Sequence, residues 1–234
     1  MQNNPIQLAV VDMAGTTVAD DGLVVNAFEV AATAAGVAES GPERESARQY
    51  FLDTMGQSKI SVFRALCAGE DVAQHANTAF ERAYGQLIDE GRATPIDGAA
   101  ESVTRLRENG IRVTLTTGFS GVTQEKLLAA LGWQSLADLV LAPGEGVRGR
   151  PYPDLILSAI MRLEIDGVAN VATLGDTGSD IQSALRAGAA IAAGTLTGAH
   201  DEQRLRAAGA THVVDSITAF ADLILQGRHE EKES

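Results

Sequence analysis

Along this chain, short apolar runs that stop at polar or small residues alternate with stretches of helical spacing. The first run, Ile6 to Val11, ends at Asp12 and leads into Met-Ala-Gly-Thr-Thr. A run of that length stopped by Asp and Gly predicts a buried parallel strand whose tip enters a polar loop. From Gly22 to about Gly91 no comparable strand pattern occurs. Apolar residues there recur at helical spacing: Phe28, Ala31 and Ala35; Tyr50 and Met55; Ile60, Phe63 and Leu66; Phe80, Tyr84 and Leu87. This predicts an all-helical insert of roughly four helices.

After Pro95-Ile96-Asp97-Gly98 a strand–helix alternation begins. Strands are expected at Ile111 to Thr116, Leu139 to Ala142, Asn170 to Leu174, Ala189 to Ala193 and Thr211 to Val214. Helices are expected at Ala99 to Asn109, Gly121 to Leu131, Pro153 to Leu163 and Ser179 to Ala187, with proline suited to a first helical turn. Repeated units of this kind imply an α/β fold, an open parallel sheet covered on both faces. The expected organisation is a core of residues 1–20 and 95–226, a helical cap of residues 21–94, and a flexible tail, 227–234. The joints Val18 to Gly22 and Ala93 to Gly98 hold Gly or Pro with acids and flank the insert, as a hinge would. Ligands of such sheets bind at the carboxyl ends of the strands, which gathers Asp12, Thr117 and Asp176 at one mouth.

Composition narrows the partners. The 234 residues are 45% hydrophobic and 21% charged, ordinary for a globular protein, and the net charge is −13. A nucleic-acid protein needs a basic footprint, and 4% aromatics leaves little for base stacking. No stretch of about 18 uninterrupted apolar residues occurs, so no membrane span is expected. Met1 to Gln7 lacks the basic and apolar segments of a secretory signal. Cys67 is the only cysteine, which excludes an intrachain disulfide and fits a reducing, cytoplasmic setting. Cys67 reads as a small buried residue on a helix and Trp133 as core. His75, His200, His212 and His229 show no metal-ligand spacing and read as surface or structural.

Candidate chemistry lies at the strand tips. Asp12 is a potential nucleophile if a cation neutralises an incoming phosphoryl group; a loop or cap role is the alternative. Gly15 lets the backbone approach a ligand, and neighbouring N–H groups could hold phosphate oxygens. A hydroxyl in Thr116-Thr117-Gly118 can donate to a phosphoryl oxygen, although threonine is common at strand ends. Asp176 and Asp180 flank a strand-to-helix turn and with Asp12 offer hard oxygens suited to magnesium. Helix capping by Asp176 or Ser179 would explain one of these acids, not all three. Arg150, bracketed by glycine and proline, could neutralise aspartate and phosphate together. Lys59 is the insert's only lysine and follows Met55-Gly56-Gln57-Ser58. A solvated lysine is the ordinary reading, but an amine can form an imine with a carbonyl where an arginine cannot.

Asp12, Thr117, Arg150, Asp176 and Asp180, in this order, resemble the haloacid dehalogenase superfamily of aspartate-nucleophile phosphotransferases. The resemblance covers nearly the whole chain, including the helical cap after the first strand. Commoner members carry a second acid two residues after the nucleophile and a lysine at the third motif; here Ala14 and Arg150 stand there. Written as DMAGTT and GRPYPD, this double departure is similar to the phosphonoacetaldehyde hydrolase (phosphonatase) and phosphonatase-like branch, as is Met55-Gly56-x-x-Lys59.

The resemblance implies a Rossmannoid core and a magnesium-dependent C–P hydrolase acting on a small-molecule phosphonate. In that scheme Lys59 forms an imine with the substrate carbonyl, and Asp12 becomes an aspartyl phosphate. Magnesium is held by Asp12, the Ala14 carbonyl and Asp176, in a site oriented by Asp180. Thr117 and Arg150 hold phosphoryl oxygens, with Gly15, Thr16, Met55 and Gly118 around the substrate. A homodimer through the cap is also implied. Members of this branch usually carry histidine three residues after the lysine and tyrosine after the Thr-Gly pair. Val62 and Phe119 stand there instead, which points to a larger or more apolar 2-oxo-alkylphosphonate. The alternatives are a phosphomonoesterase of the same superfamily, with phosphoglycolate-like substrates, and a non-catalytic phosphate-binding switch domain.

Overall fold

The computed structural model describes residues 5–232, with side chains through Gly227. Six parallel strands form one sheet: β1 (Leu8–Asp12), β2 (Arg112–Thr116), β3 (Leu139–Leu141), β4 (Val171–Gly175), β5 (Ile191–Thr195) and β6 (His212–Val214). Their order across the sheet is β3-β2-β1-β4-β5-β6. Leu8 pairs with Arg112 on one side and Val171 on the other, so β1 is central. The chain runs outward from β1 in opposite directions for β2 and β4, which opens a crevice at the carboxyl end of β1.

Alternation along β1 sends its side chains to two cores. Ala9 and Val11 join Val103 and Leu106 of α5 (Ala99–Glu108), Leu127 of α6 (Gly121–Leu131) and Phe220 of α10 (Ile217–Lys232). Leu8 and Val10 join Leu155 and Ala159 of α7 (Asp154–Arg162), Ile181 and Ala184 of α8 (Gly178–Ala187), and Leu205 of α9 (Glu202–Ala207). β1 is buried throughout, which explains why its sequence is apolar rather than alternating.

Between β1 and α5 lie four helices: α1 (Leu23–Ala34), α2 (Pro42–Asp53), α3 (Lys59–Leu66) and α4 (Glu70–Asp89). Pro42 opens α2, and Glu43 and Glu45 in its first turn favour the positive end of the helix dipole. The insert packs around rings: Phe28 stacks on Phe51 at 4.2 Å between centroids, and Phe80 stacks on Tyr84 at 6.2 Å. This aromatic core is continuous with the α5, α6 and α10 side of the sheet.

Most differences from the sequence expectation are shifts of one or two residues at element ends, where local signals are weakest. Pro153 is the N-cap of α7 rather than part of its first turn. The helix expected from Ser179 starts at Gly178, and its cap is neither Asp176 nor Ser179. Thr177 is the N-cap, in a reciprocal capping box with Asp180. Cys67 follows α3 as its extended C-cap and is only half-buried, rather than being enclosed on a helix. Helix α10 continues through Lys232, over most of the stretch expected as a tail. The side chain of His229 lies outside the described set. Among the described residues no helix is long and apolar enough to cross a membrane.

Candidate active site

Asp12 ends β1 with 5% of its surface exposed, and its carboxylate is met by Arg150. One guanidinium nitrogen of Arg150 donates to Asp12 Oδ1 at 2.5 Å and to Thr116 Oγ1 at 3.1 Å. The other lies 2.7 Å from Asp180 Oδ1. A single planar cation thus bridges two acids from different strand tips, using a separate nitrogen for each. Burial alone would lower the pKa of Arg150, but Asp12 and Asp180 hold it above the usual value and keep it charged. Arg148, two residues away, instead pairs with Asp154 at 2.8 Å on the surface.

Asp12, Asp176 and Asp180 each offer an oxygen within 4.8 Å of the others. Burial raises the Asp12 pKa to about 6, against the lowering effect of Arg150. Burial, then the negative charges of Asp12 and Asp180, raises Asp176 well above the ordinary carboxylate range. Three buried acids beside one arginine call for further positive charge, and their hard oxygens fit a divalent cation such as magnesium. Asp180 is itself held at both oxygens. One of its oxygens faces Arg150, and the other accepts from both the backbone N–H and the hydroxyl of Thr177, at 3.1 and 2.5 Å. Asp176 Oδ2 accepts from Ala199 N–H at 2.7 Å, and Asp176 lines the same cavity as Asp12 and Ala14. The loop after β5 supplies this contact, and Thr197 ties it to the Gly15 carbonyl at 2.8 Å. Nothing in the local sequence of residues 195–199 marks that role.

The Asp12 loop uses some of its backbone donors internally. Gly15 N–H donates to Val18 O at 2.7 Å and Thr16 N–H to Met13 O at 3.1 Å, so both donors are already committed within the loop. Gly15 matters sterically instead. At φ 80°, a Cβ there would sit 2.4 Å from Asp176 Oδ2. The Thr16 hydroxyl is buried without a protein partner, a donor left free in the Asp12 loop. Thr117 accepts from Phe119 N–H at 3.1 Å and keeps its own proton to donate.

Lys59 opens α3 and is 4% exposed. Its backbone N–H donates to Gly118 O at 3.2 Å, which pins the start of α3 to the tip of β2. The approach is close: a Cβ on Gly118 would meet Gln57 O at 2.7 Å. The Lys59 amine sits among three rings, 5.3 Å from the centroid of Phe51, 5.8 Å from Phe80 and 5.6 Å from Phe119. It donates to Gln57 O at 3.5 Å. Burial, followed by the charge of Arg150, lowers the lysine pKa from 10.5 to about 8. Lys59, Asp12, Ala14, Met55, Gly118 and Asp176 line one cavity of about 30 Å³. That is room for a water or two.

Sequence reasoning did not single out two acids near this cavity. Asp20, in the joint between β1 and α1, lines it. Glu81 of α4 accepts from the backbone N–H and hydroxyl of Ser120, at 3.1 and 2.8 Å, and from the Thr123 hydroxyl. It thereby fastens the insert to the start of α6, beside Phe119.

Comparison with known proteins agrees with this geometry. The haloacid dehalogenase-like hydrolase family model matches residues 6–188. This chain belongs to that family. Membership makes the chain a hydrolase and removes the non-catalytic switch reading. The hydrolase is 30% identical over 202 residues to a phosphonoacetaldehyde hydrolase of Syntrophobacter fumaroxidans, covering 79% of this chain and 70% of that one. It is 29% identical over 210 residues to the Pseudomonas fluorescens phosphonoacetaldehyde hydrolase, covering 80% and 72%. In structure it is similar to a phosphonoacetaldehyde hydrolase like protein from Oleispira antarctica. The TM-score there is 0.81 at 22% identity, over 96% of this chain and 93% of the other.

Proposed function

We propose that this hydrolase cleaves the carbon–phosphorus bond of phosphonoacetaldehyde or a related 2-oxo-alkylphosphonate. The observation that carries the reading is the shared cavity of Lys59 and Asp12, with the amine buried and its pKa lowered to about 8. An ester phosphatase has no use for such an amine. It needs an acid to protonate the leaving oxygen, and Ala14 stands where the second acid of commoner family members would be.

Neutral Lys59 attacks the substrate carbonyl and, with loss of water, forms a protonated imine. Asp12 attacks phosphorus; the C–P electron pair moves into the imine and leaves an enamine on Lys59. Water then hydrolyses the aspartyl phosphate, and protonation and hydrolysis of the enamine release the carbonyl product. Arg150 fixes the nucleophile through Asp12 and sets Asp180 beside it. Thr117 and Thr16 supply hydroxyl donors for phosphoryl oxygens. Magnesium, held by the Asp12 and Asp176 carboxylates and the Ala14 carbonyl, supplies charge neutralisation when bound.

A cavity of about 30 Å³ is too small for the substrate, so the helical insert acts as a cap that opens about its two joints and closes over the bound molecule. The rings around Lys59 and the apolar Val24 and Met55 suit a carbonyl end with few polar substituents.

Phosphate release across 2-oxo-alkylphosphonates and phosphate esters, with and without magnesium, tests the reading. Phosphonates should be turned over and esters hardly at all, and borohydride should trap a substrate-derived mass on Lys59. Faster ester turnover, with full activity retained in Lys59→Ala, overturns it.

A further inference from the structure

Five ionisable side chains line the cavity: Asp12, Asp20, Lys59, Arg150 and Asp176. Four have roles above. Asp20 does not, and it lies apart from the carboxylate cluster, in the joint that leads into the insert. One of its oxygens accepts from Val24 N–H at 2.9 Å, which fixes the carboxylate at the start of α1. A carboxylate has acceptor capacity beyond one such bond. Burial raises its pKa, and the nearby Lys59 charge acts in the opposite direction. Asp20 in turn favours the charged form of Lys59. Of the other ionisable groups whose charge acts on Lys59, Asp12 and Arg150 are locked to each other, and Glu81 is taken up by Ser120 and Thr123. The rings around the amine, Phe51, Phe80 and Phe119, cannot transfer a proton. Neither can Val62 and Met55, which are also buried in this part of the molecule.

Imine formation at Lys59 needs such a group. The ammonium must lose a proton before it attacks, and the carbinolamine hydroxyl must gain one before it leaves. We propose that Asp20 is the catalytic acid–base residue for imine chemistry at Lys59. The inference rests on the imine reading above and assigns its proton transfers. The Asp20 carboxylate takes a proton from the Lys59 ammonium. The free amine then adds to the carbonyl carbon: the C–N bond forms, the C=O π bond opens, and one proton passes from nitrogen to that oxygen. Protonated Asp20 gives its proton to the hydroxyl, which departs as water as the C=N bond forms. Ammonium and carbonyl thus become iminium and water, and Asp20 ends as the carboxylate with which it began. Its place in the hinge couples this step to cap position, because the same segment turns the chain from β1 into α1.

The experiment measures the rate of borohydride-trapped Lys59 adduct with phosphonoacetaldehyde, by intact mass, in the full-length protein. Asp20→Asn keeps an acceptor for Val24 N–H but cannot carry the proton, and trapping should slow by about 10²-fold. Asp20→Ser is the second variant, with a hydroxyl for the same cap, and should slow alike. Asp20→Ala should regain rate when formate is added, which a purely structural residue would not show. Adduct formation at the unmodified rate in a folded Asn or Ser variant overturns the assignment of Asp20 and leaves the imine reading standing. Absence of any Lys59 adduct in the unmodified protein overturns the imine reading and this assignment together.

Discussion

The two halves of the cavity handle buried charge in opposite ways. At the strand tips, Asp12, Asp180 and Arg150 are locked to one another at 2.5 and 2.7 Å, and the Asp180 carboxylate is further held by Thr177. In the insert, the Lys59 amine lies among three aromatic rings and donates only a long bond to a carbonyl, with the nearby acids acting at a distance rather than through an ion pair. The first half holds its side chains fixed in place and keeps the Arg150 cation charged, as phosphoryl transfer requires. The second makes its cation easy to neutralise, as nucleophilic attack by an amine requires. Each would perform the other's task poorly: a lysine locked in an ion pair as short as that of Arg150 with Asp12 stays protonated, and a nucleophilic aspartate without Arg150 would have burial raising its pKa unopposed by that charge.

Substitutions can break this contrast from either side. Asp12→Asn should have the largest effect, abolishing phosphate release by on the order of 10⁴-fold or more, while Lys59 can still be trapped by an aldehyde. Lys59→Met removes phosphonate turnover to a similar degree but should raise the melting temperature. A pKa displaced from 10.5 to about 8 corresponds to about 3 kcal/mol of disfavoured charge, which a buried methionine does not carry. An unchanged or lower melting temperature would show that the ring contacts offset the burial cost.

A smaller loss is expected where the halves meet. In Gly118→Ala the added Cβ meets Gln57 O at 2.7 Å and pushes the start of α3 away from β2. Turnover should fall by about 10²-fold, with magnesium binding retained by calorimetry.

The pH dependence sharpens the same point. The rate of Lys59 trapping should rise as pH climbs through about 8 and level off above it, because the free amine is the reactive form. In folding, the lysine pKa is lower in the native state than in the unfolded chain, so the unfolded chain binds more protons between about 8 and 10.5. Native stability therefore gains from this group as pH rises through that window, and Lys59→Met should lose the gain in denaturant titrations. The smallest effect is expected at the rim. Arg204 of α9 pairs with Asp53 of α2 at 2.9 Å, with both side chains about half exposed. Arg204→Ala should change stability by less than about 1 kcal/mol.

Much of the strand-tip half was readable from single segments. An apolar run that stops at Asp12, and another that stops at Gly175-Asp176, are strong signals because a buried parallel strand has few ways to end. The order of the motifs then supplied Arg150, and the Met55-Gly56-x-x-Lys59 segment, with the insert's only lysine, supplied Lys59. The partners were not readable. Arg150 and Asp12 are 138 positions apart, and neither neighbourhood shows that one guanidinium will reach Asp180 as well. The loop at Ala199, the fastening of Glu81 to Ser120 and the choice of Thr177 as helix cap carry equally little local signal. Asp20 read simply as one acid in a joint, because its place in the cavity depends on where the insert folds back.

By itself the sequence determined the alternation of strands and helices, the helical insert after β1, and the residue types capable of chemistry at each strand end. These follow from local periodicity and from chain geometry, which the backbone imposes wherever the fold is made. Only the tertiary structure decided which charges meet, which amine is stripped of water and how small the closed cavity is. Those properties arise from distances between remote segments, and both Coulomb energy and desolvation depend on such distances rather than on sequence order.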